Sequence, residues 1–414
     1  MASFIAGLGL VYHAFFAMTD YGHLFKNEYG AMAALMATLI AGRDALKPLW
    51  SLRFLRWALV FTGYVLVQSW WCAHHVSLSP SYEKQLSVAA NAVRLGIFSA
   101  ILAVWLMRYW RWVPHLLGLM LAGYLSMLIF RSSWMPAGAG AWPRLRLVYS
   151  ENIVGLFAGE LLVILSIVMI SQRHRWWQLL ALVVAWCTMF ACLALSQSRG
   201  ALGATGLGLI VACTGWIISQ RSRVSGRELW RHSLLLFGLL LACVVVLAPV
   251  LGQRVGGADS VIRPLLEHGV TAVPDSPVGL RIQLYALGVE TFLQHPWVGI
   301  GMRTVEPLIA AHGIGTGHYT PPHLHDIYLQ ILVSLGLVGA LILAGGFITL
   351  LHDGWRAYKA GAISQRLTWI LSGWMTLLLA DIVLDNHLWH FSYLRTTQEV
   401  LFGLILAGRL RATK

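Results

Sequence analysis

The chain has 414 residues, of which 58% are hydrophobic and 11% are charged, and its formal net charge is +13. A soluble globular domain has roughly 25% charged residues, so this composition excludes a soluble globular protein. Lipid must therefore be the solvent for most of the apolar side chains. Backbone N–H and C=O groups must be paired internally in a bilayer, and long apolar runs rather than short alternating ones favour helices over a barrel.

Apolar runs long enough to cross a membrane recur along the whole chain. A span needs about 20 mostly apolar residues. About twelve candidates are found, over residues 2–18, 28–42, 53–73, 90–107, 112–131, 152–170, 176–195, 201–219, 233–252, 326–351, 367–384 and 398–410. The sequence therefore predicts an all-α, polytopic membrane helical bundle that forms a single transmembrane domain over residues 1–414.

Positive charges alternate between the predicted connections. Cytoplasmic loops of membrane proteins are enriched in Lys and Arg. If both termini are cytoplasmic, the inside connections hold 18 of the 30 Lys and Arg residues but only three of the 17 acids. We therefore predict a multi-pass protein with both termini in the cytoplasm. The high net charge then follows from topology, and no nucleic-acid partner is expected.

The longest outside connection covers residues 253–325. Loops of more than about 15 residues are usually functional or disordered. An amphipathic helix is predicted within it, lying on the membrane surface or on the bundle. Its expected apolar face comprises Ile282, Tyr285, Val289 and Phe292. Any chemistry is expected in or beside this loop.

Three outside arginines are candidate ligands for an anion. Arg199 lies in a turn between two spans, Arg281 at the start of the amphipathic helix, and Arg303 directly after the turn that contains Gly299 and Gly301. A guanidinium grips phosphate bidentately, and the two glycines would permit close approach to a ligand. Further donors in the first turn are Ser196, Gln197 and Ser198. Three such arginines without an expected acid partner predict a pyrophosphate site, although each alone could equally contact a lipid headgroup.

Two histidines precede the span predicted from residue 326. Helix formation cannot extend backwards through Pro321 and Pro322, so the helix should begin near His325 or Asp326, with Asp326 suited to the cap. The positive end of a helix favours neutral imidazole, as a general base requires. Two other interpretations stay open. His325 could be a capping or headgroup histidine, or it could bind zinc together with His318 and His323.

Two acids fall in the last outside connection. Asp381 and Asp385 are four residues apart, which places both carboxylates on one face at the outer end of a helix. They would either pair with loop arginines or orient the acceptor or an active-site arginine.

Four of these segments resemble, in order, the signatures of the O-antigen ligase and polymerase superfamily. The stretch from His325-Asp326-Ile-Tyr-Leu to Gly336-Leu-Val-Gly339 is similar to the family's His-Asn-x-x-Leu…Gly-x-x-Gly pattern. Before it come Ser-Gln-Ser-Arg199-Gly, then Arg281, and then His295-Pro-Trp-Val-Gly-Ile-Gly-Met-Arg303. The resemblance covers about the C-terminal half, and Asp326 departs from it because the family usually has Asn there.

The resemblance implies a membrane glycosyltransferase of the C-type (GT-C) fold in the bacterial inner membrane, with its active site facing the periplasm. It would transfer a glycan from undecaprenyl pyrophosphate to lipid A-core. His325 would be the general base, and Arg199, Arg303 and Arg281 would hold the pyrophosphate. Secondary site residues would be His323, Asp326 and Asp385. Membrane lipids would be its other partners.

The same resemblance implies neither a cofactor nor a metal. The donor already carries its leaving group, and the sequence has no Asp-x-Asp motif to hold a divalent ion. One alternative is an O-antigen polymerase, which would use a second polyprenyl-linked glycan as acceptor. Another is a transporter of polyprenyl-linked glycans, which is less favoured because transporters show broken helices at mid-membrane, whereas few charges are expected inside these spans.

Overall fold

In the computed structural model the described residues are 1–19, 28–135, 143–147, 151–171, 174–220, 276–315, 320–383 and 392–413, with isolated positions between 230 and 269. The helices are α1 (Ala2–Phe16), α2 (Tyr29–Ala41), α3 (Arg43–Ser51), α4 (Arg53–His75), α5 (Tyr82–Arg108), α6 (Val113–Arg131), α7 (Glu151–Ser171), α8 (Trp176–Ser196), α9 (Arg199–Gln220), α10 (Pro277–Gln294), α11 (Val305–Ala311), α12 (Ile327–Lys359), α13 (Gln365–Asp381) and α14 (Ser392–Arg411). A 3-10 turn, Trp110–Trp112, precedes α6.

Several of these helices are suited to a membrane. Within the described residues, six are long and apolar enough to cross one, namely α5 to α9 and α12, and α1 and α2 are shorter apolar helices. This confirms an all-α polytopic membrane protein, while the count of about twelve spans and the C-type fold stay predictions. One departure is a short antiparallel hairpin in a predicted outside connection, in which β1 (Ser132–Met135) pairs with β2 (Arg144–Leu147).

Helix α7 forms the centre of the bundle. Of its best apolar window, 94% is buried inside the protein, as expected for a helix that is hydrophobic on all sides. It packs against α8, α9 and α13. Small residues bring α9 and α13 close together, since a Cβ on Gly208 would lie 2.7 Å from the carbonyl oxygen of Gly373. The two helices run antiparallel, as the hydrogen bond between Gln220 and Gln365 at one end shows.

The span predicted over 326–351 is longer than expected and is interrupted. Gly336 has φ 63° and ψ −174° inside α12, a conformation that favours glycine. The N–H groups released by this break donate to a turn that enters from the preceding loop: Leu337 N to Pro296 O at 2.7 Å and Val338 N to Trp297 O at 3.1 Å. A continuous apolar helix was predicted because hydropathy does not register such an insertion.

The other side of the break is also paired. Ile300 N donates to Val333 O and Gly301 N to Ser334 O, each at 2.9 Å. Gln68 of α4 donates to Ser334 O at 2.9 Å. The irregular backbone within the bundle therefore finds protein partners, which is the condition for tolerating it at membrane depth.

A polar turn is buried near the start of α14. All five of its residues have exposed fractions of 1% or less, namely Arg395, Thr396, Thr397, Gln398 and Glu399. The guanidinium of Arg395 donates to Glu399 at 2.9 Å, Asn91 at 2.6 Å and Glu28 at 2.7 Å. Arg395 precedes the span predicted over residues 398–410, so hydropathy did not register that the helix begins earlier and buries this charge.

Both chain termini lie at one end of the bundle, beside several arginines. At one end Arg411 donates to Ala362 O at 2.7 Å, and Arg409 pairs with Asp353 at 3.2 Å. Tyr109 donates to the carbonyl of Ser3 at the same end. Both chain termini therefore lie at one basic end, in agreement with the alternation expected from sequence, while the side of the membrane stays a prediction.

Cysteine labelling tests that side. In a cysteine-less background, Ala311→Cys lies on an exposed loop helix at the opposite end from the termini, and Ala360→Cys on an exposed connection at the basic end. A membrane-impermeant maleimide added to intact cells should label only position 311, and position 360 should react after permeabilisation. Labelling of position 360 alone would invert the topology.

Removal of Arg395 should destabilise the protein far more than removal of Arg94. Both arginines contact Glu28 Oε1, but the side chain of Arg395 is 0% exposed and that of Arg94 is 43% exposed. Breaking a buried pair costs about 3–5 kcal/mol, whereas an exposed pair contributes roughly 0–1 kcal/mol. Thermal unfolding of Arg395→Ala and Arg94→Ala in detergent should show this difference, and equal shifts would contradict it.

Candidate active site

His325 has an unusual backbone conformation. Its φ of 57° is left-handed, which is uncommon for a residue other than glycine and is often found at functional sites. Its N–H donates to His323 Nδ1 at 3.2 Å, and the Tyr285 hydroxyl donates to its carbonyl oxygen at 3.4 Å. The contacts around His325 thus hold a conformation that an isolated chain would avoid.

The first turns of α12 hold the same segment. Gln330 Oε1 accepts from Leu324 N at 3.0 Å, and Gln330 Nε2 donates to Ser334 Oγ at 3.2 Å. Asp326 caps the helix, since its Oδ1 accepts from Leu329 N at 2.9 Å. The cap predicted for Asp326 is confirmed, and its contribution to chemistry stays a prediction.

Burial raises the pKa of Asp326, and hydrogen bonds from the backbone of Leu329 and Tyr328 partly offset that rise. The carboxylate therefore pays a desolvation cost that a neutral Asn would avoid. The cap itself needs only an acceptor oxygen, which either side chain supplies.

The rings of His323 and His325 lie side by side. Their centroids are 4.3 Å apart and the rings are inclined by 64°. His323 Nδ1 accepts a hydrogen bond, so the proton of its neutral ring lies on Nε2.

The zinc alternative finds no support in the described part of the chain, where no three His, Cys, Asp or Glu residues are grouped to hold a metal ion. His318, which that alternative also requires, lies outside the described residues.

Arg281 does not open its helix. The helix α10 begins at Pro277 and is capped by Ser276, whose hydroxyl accepts from Gly279 N at 3.0 Å. Pro at the first helical position explains the earlier start. Arg281 lies one turn before Tyr285 and on the same face, and it therefore faces in the direction of the His325 segment that Tyr285 reaches.

The face of α10 that is buried against the protein differs from the apolar face predicted from sequence. Leu284, Leu287 and Thr291 are the buried positions, with exposed fractions of 0%, 6% and 4%, while Val289 is 50% exposed. The predicted face was expected to lie on the membrane surface or on the bundle, whereas another face of the helix packs against α12. A run with apolar residues on more than one side cannot indicate which side is covered.

The glycine turn before Arg303 approaches protein rather than open space. A Cβ at Gly299 would lie 2.5 Å from Val333 O, and one at Gly301 would lie 2.6 Å from Gln85 Nε2. These glycines were expected to leave room for a ligand. They instead allow close packing of the turn against α12 and α5.

Arg303 itself is anchored through its backbone, whose N–H donates to Gln85 Oε1 at 2.9 Å. Its guanidinium pairs with Glu306 at 3.3 Å, and both side chains are more than a third exposed. The expectation of an arginine without an acid partner is wrong for Arg303. Such exposed pairs contribute little, so a dianionic ligand can replace the carboxylate.

Arg199 lies exposed at the first position of α9. Ser198 Oγ accepts from Ala201 N at 3.4 Å, and Ser196 Oγ donates to Leu193 O at 2.7 Å. The Ser196 hydroxyl is thus used by the turn and does not add a donor for an anion. Among the described residues Arg199 forms no ion pair. The N-terminus of a helix carries a partial positive charge. This charge and the guanidinium of Arg199 therefore both attract an anion.

The segments that carry Arg199, Arg281, Arg303 and His325 lie at one end of the bundle. Ile327 N donates to Ile382 O at 3.0 Å, which joins the start of α12 to the end of α13. Because α9 and α13 are antiparallel, Arg199 lies at that same end. Asp381 is the last residue of α13 and is 3% exposed. Asp385 lies outside the described residues.

Residues 185–344 match the family model described as O-Antigen ligase. The matched segment includes all three candidate arginines and both histidines, so the similarity extends over the part of the chain that carries the candidate site. No curated protein matches the sequence.

Three residues that hold the candidate site were missed from sequence. Tyr285 was assigned to an apolar face, Gln330 to a span, and Gln85 to an outside loop because α5 was expected to begin at residue 90 rather than at Tyr82. Glutamines inside apolar helices are the signal that was available, since a buried amide needs partners.

Asp326→Asn should preserve folding, and Asp326→Ala should lose about 1 kcal/mol with the cap. Because the pKa of Asp326 is raised in the folded protein, ionisation opposes folding. The free energy of unfolding of the wild type should therefore fall relative to that of Asp326→Asn as the pH rises through this pKa. Thermal unfolding of the three proteins across pH checks both points. A folded Asp326→Asn protein without transfer activity would assign the carboxylate a chemical role.

Proposed function

We propose that this protein transfers an O-antigen glycan from undecaprenyl pyrophosphate to lipid A-core on the periplasmic face of the bacterial inner membrane. The observation that carries the proposal is the left-handed backbone conformation of His325, which hydrogen bonds with Tyr285 and His323 support. It lies at the end of the bundle where Arg199, Arg281 and Arg303 also lie. A base and several guanidinium groups are the parts that displacement of a pyrophosphate requires.

In the proposed reaction the imidazole of His325 takes the proton of an acceptor sugar hydroxyl. The oxygen attacks the anomeric carbon from the face opposite to the pyrophosphate. As that C–O bond forms, the bond between the anomeric carbon and the phosphate oxygen breaks, and the configuration inverts. The electron pair leaves with undecaprenyl pyrophosphate.

The arginines stabilise the charge that develops on the leaving group. Arg199 adds its charge to the positive end of α9, and the weak pair of Arg303 with Glu306 opens for a stronger anion. Arg281 contributes from the face of α10 that also carries Tyr285. Three cations can replace the divalent ion of metal-dependent transferases, so we propose transfer without metal or cofactor.

A transporter would also use a broken helix and charges within the bundle. Here the backbone groups released at Gly336 are hydrogen-bonded by the 296–301 turn. The charges of the buried polar turn pair with one another, as Arg395 with Glu399 and Glu28. The released backbone groups and the charge of Arg395 are thus paired within the protein, and this favours the enzyme.

The direct experiment incubates the purified protein with lipid-linked O-antigen and lipid A-core, with and without EDTA. We expect a glycan–lipid A-core product at the same rate in both. Product only when a second lipid-linked glycan replaces lipid A-core would identify a polymerase. Loss of activity in EDTA with recovery on adding zinc would bring back His318, His323 and His325 as ligands.

The base and the arginines should fail in different ways. A general base contributes about 10²–10⁴-fold to rate, so His325→Ala should lose turnover and retain donor binding. Arg199→Ala and Arg303→Ala should lose both, because they contact a dianion already present in the ground state, and lysine should rescue only partly. Kinetics and donor binding of variants with unchanged chromatographic behaviour check this. Near wild-type transfer by His325→Ala would refute the assignment.

A further inference from the structure

Gln85 lies in the first turn of α5, outside the segment that matches the ligase family, and its side chain is 0% exposed. Its amide makes three hydrogen bonds. Oε1 accepts from Arg303 N at 2.9 Å, while Nε2 donates to Thr304 Oγ1 at 2.7 Å and to Ser79 Oγ at 2.8 Å. Two of these bonds reach residues more than 200 positions away along the chain.

The turn that carries Arg303 is clamped from two sides. A Cβ at Gly301, whose φ is 97°, would lie 2.6–2.9 Å from the amide atoms of Gln85, so only glycine admits the amide at this distance. On the other side Gly301 N donates to Ser334 O of α12. The backbone from Gly301 to Thr304 is therefore fixed between α5 and α12.

We propose that Gln85 is a positioning residue that sets the origin and direction of the Arg303 side chain toward the pyrophosphate of the donor. The inference rests on the proposed role of Arg303. Among the described residues, the guanidinium of Arg303 is held only by an exposed pair with Glu306, so its backbone anchor determines where it can reach. A displacement of about 1 Å at such a group can lower the rate by about 10²-fold.

The chemistry of the site requires an amide. One atom must accept from a backbone N–H while another donates to two hydroxyl groups. Met has the length of Gln and neither function. Asn has both functions but is one methylene short. A protonated Glu both accepts and donates one hydrogen bond, so it should rescue partly.

The experiment measures KM for lipid-linked donor, KM for acceptor, and kcat in purified variants. A displacement of about 1 Å at a positioned group costs about 10²-fold, so Gln85→Met should raise the donor KM by up to about 100-fold. The acceptor KM should stay unchanged, and Gln85→Glu should recover part of the loss.

A double-mutant cycle separates positioning from general damage. In an Arg303→Ala background Gln85→Met should have no further effect on donor KM, because the group that it positions is gone. In an Arg199→Ala background its effect should be retained in full. The matched control is Gln220→Met, a buried amide at the opposite end of the bundle that donates to Gln365 Oε1 at 2.9 Å. Its effect should be additive with that of Arg303→Ala.

Additive effects of Gln85→Met and Arg303→Ala would overturn the proposal, as would equal rises in donor and acceptor KM. If Arg303→Ala alone leaves the donor KM unchanged, the proposed pyrophosphate site fails instead, and the two failures are thus distinguished. Should Gln85→Met not yield folded protein, Gln85→Asn takes its place in the cycle and must show the same coupling to Arg303.

Discussion

Backbone groups that leave a helix inside a bilayer must find another partner, and the architecture around the candidate site depends on how this requirement is met. Helix α12 breaks at Gly336, and the turn over residues 296–301 supplies acceptors on one side of the break and donors on the other. An unpaired buried group would cost several kcal/mol in hydrocarbon. The break and the turn are therefore stable only together, and the loop cannot leave the bundle without exposing α12.

This pairing also connects the two halves of the site. Gly301 N binds Ser334 O, Ser334 Oγ accepts from Gln330, and Gln330 accepts from Leu324 N. A continuous series of contacts thus runs from the turn that carries Arg303 to the segment that carries His325, through the first turns of α12. The unusual φ of His325 is maintained by the same contacts, so the position of the proposed base and that of a proposed anion ligand are not independent.

The sequence predicted what is local and missed what is distant. Composition predicts a helical membrane protein, and Pro321-Pro322 followed by Asp326 predicts where α12 begins, because these signals act within a few residues. The start of α5, the covered face of α10 and the buried turn at Arg395 were not predicted. Each depends on partners far away in the chain, such as Asn91 for Arg395, and periodicity carries no information on them.

The first half of the chain resembles the ligase family only as a run of apolar helices. Its hydrogen bonds to the second half show how it can still support the candidate site. Apolar side chains facing lipid are exchangeable, since hydrocarbon is as good a neighbour as another leucine. A buried amide is not exchangeable, because its partners would be left unpaired. Tyr64, Gln68 and Gln85 each bond to the backbone between residues 298 and 335. The specificity of the N-terminal half for the C-terminal half therefore resides in a few polar side chains on otherwise unremarkable helices, where hydropathy gives them no weight.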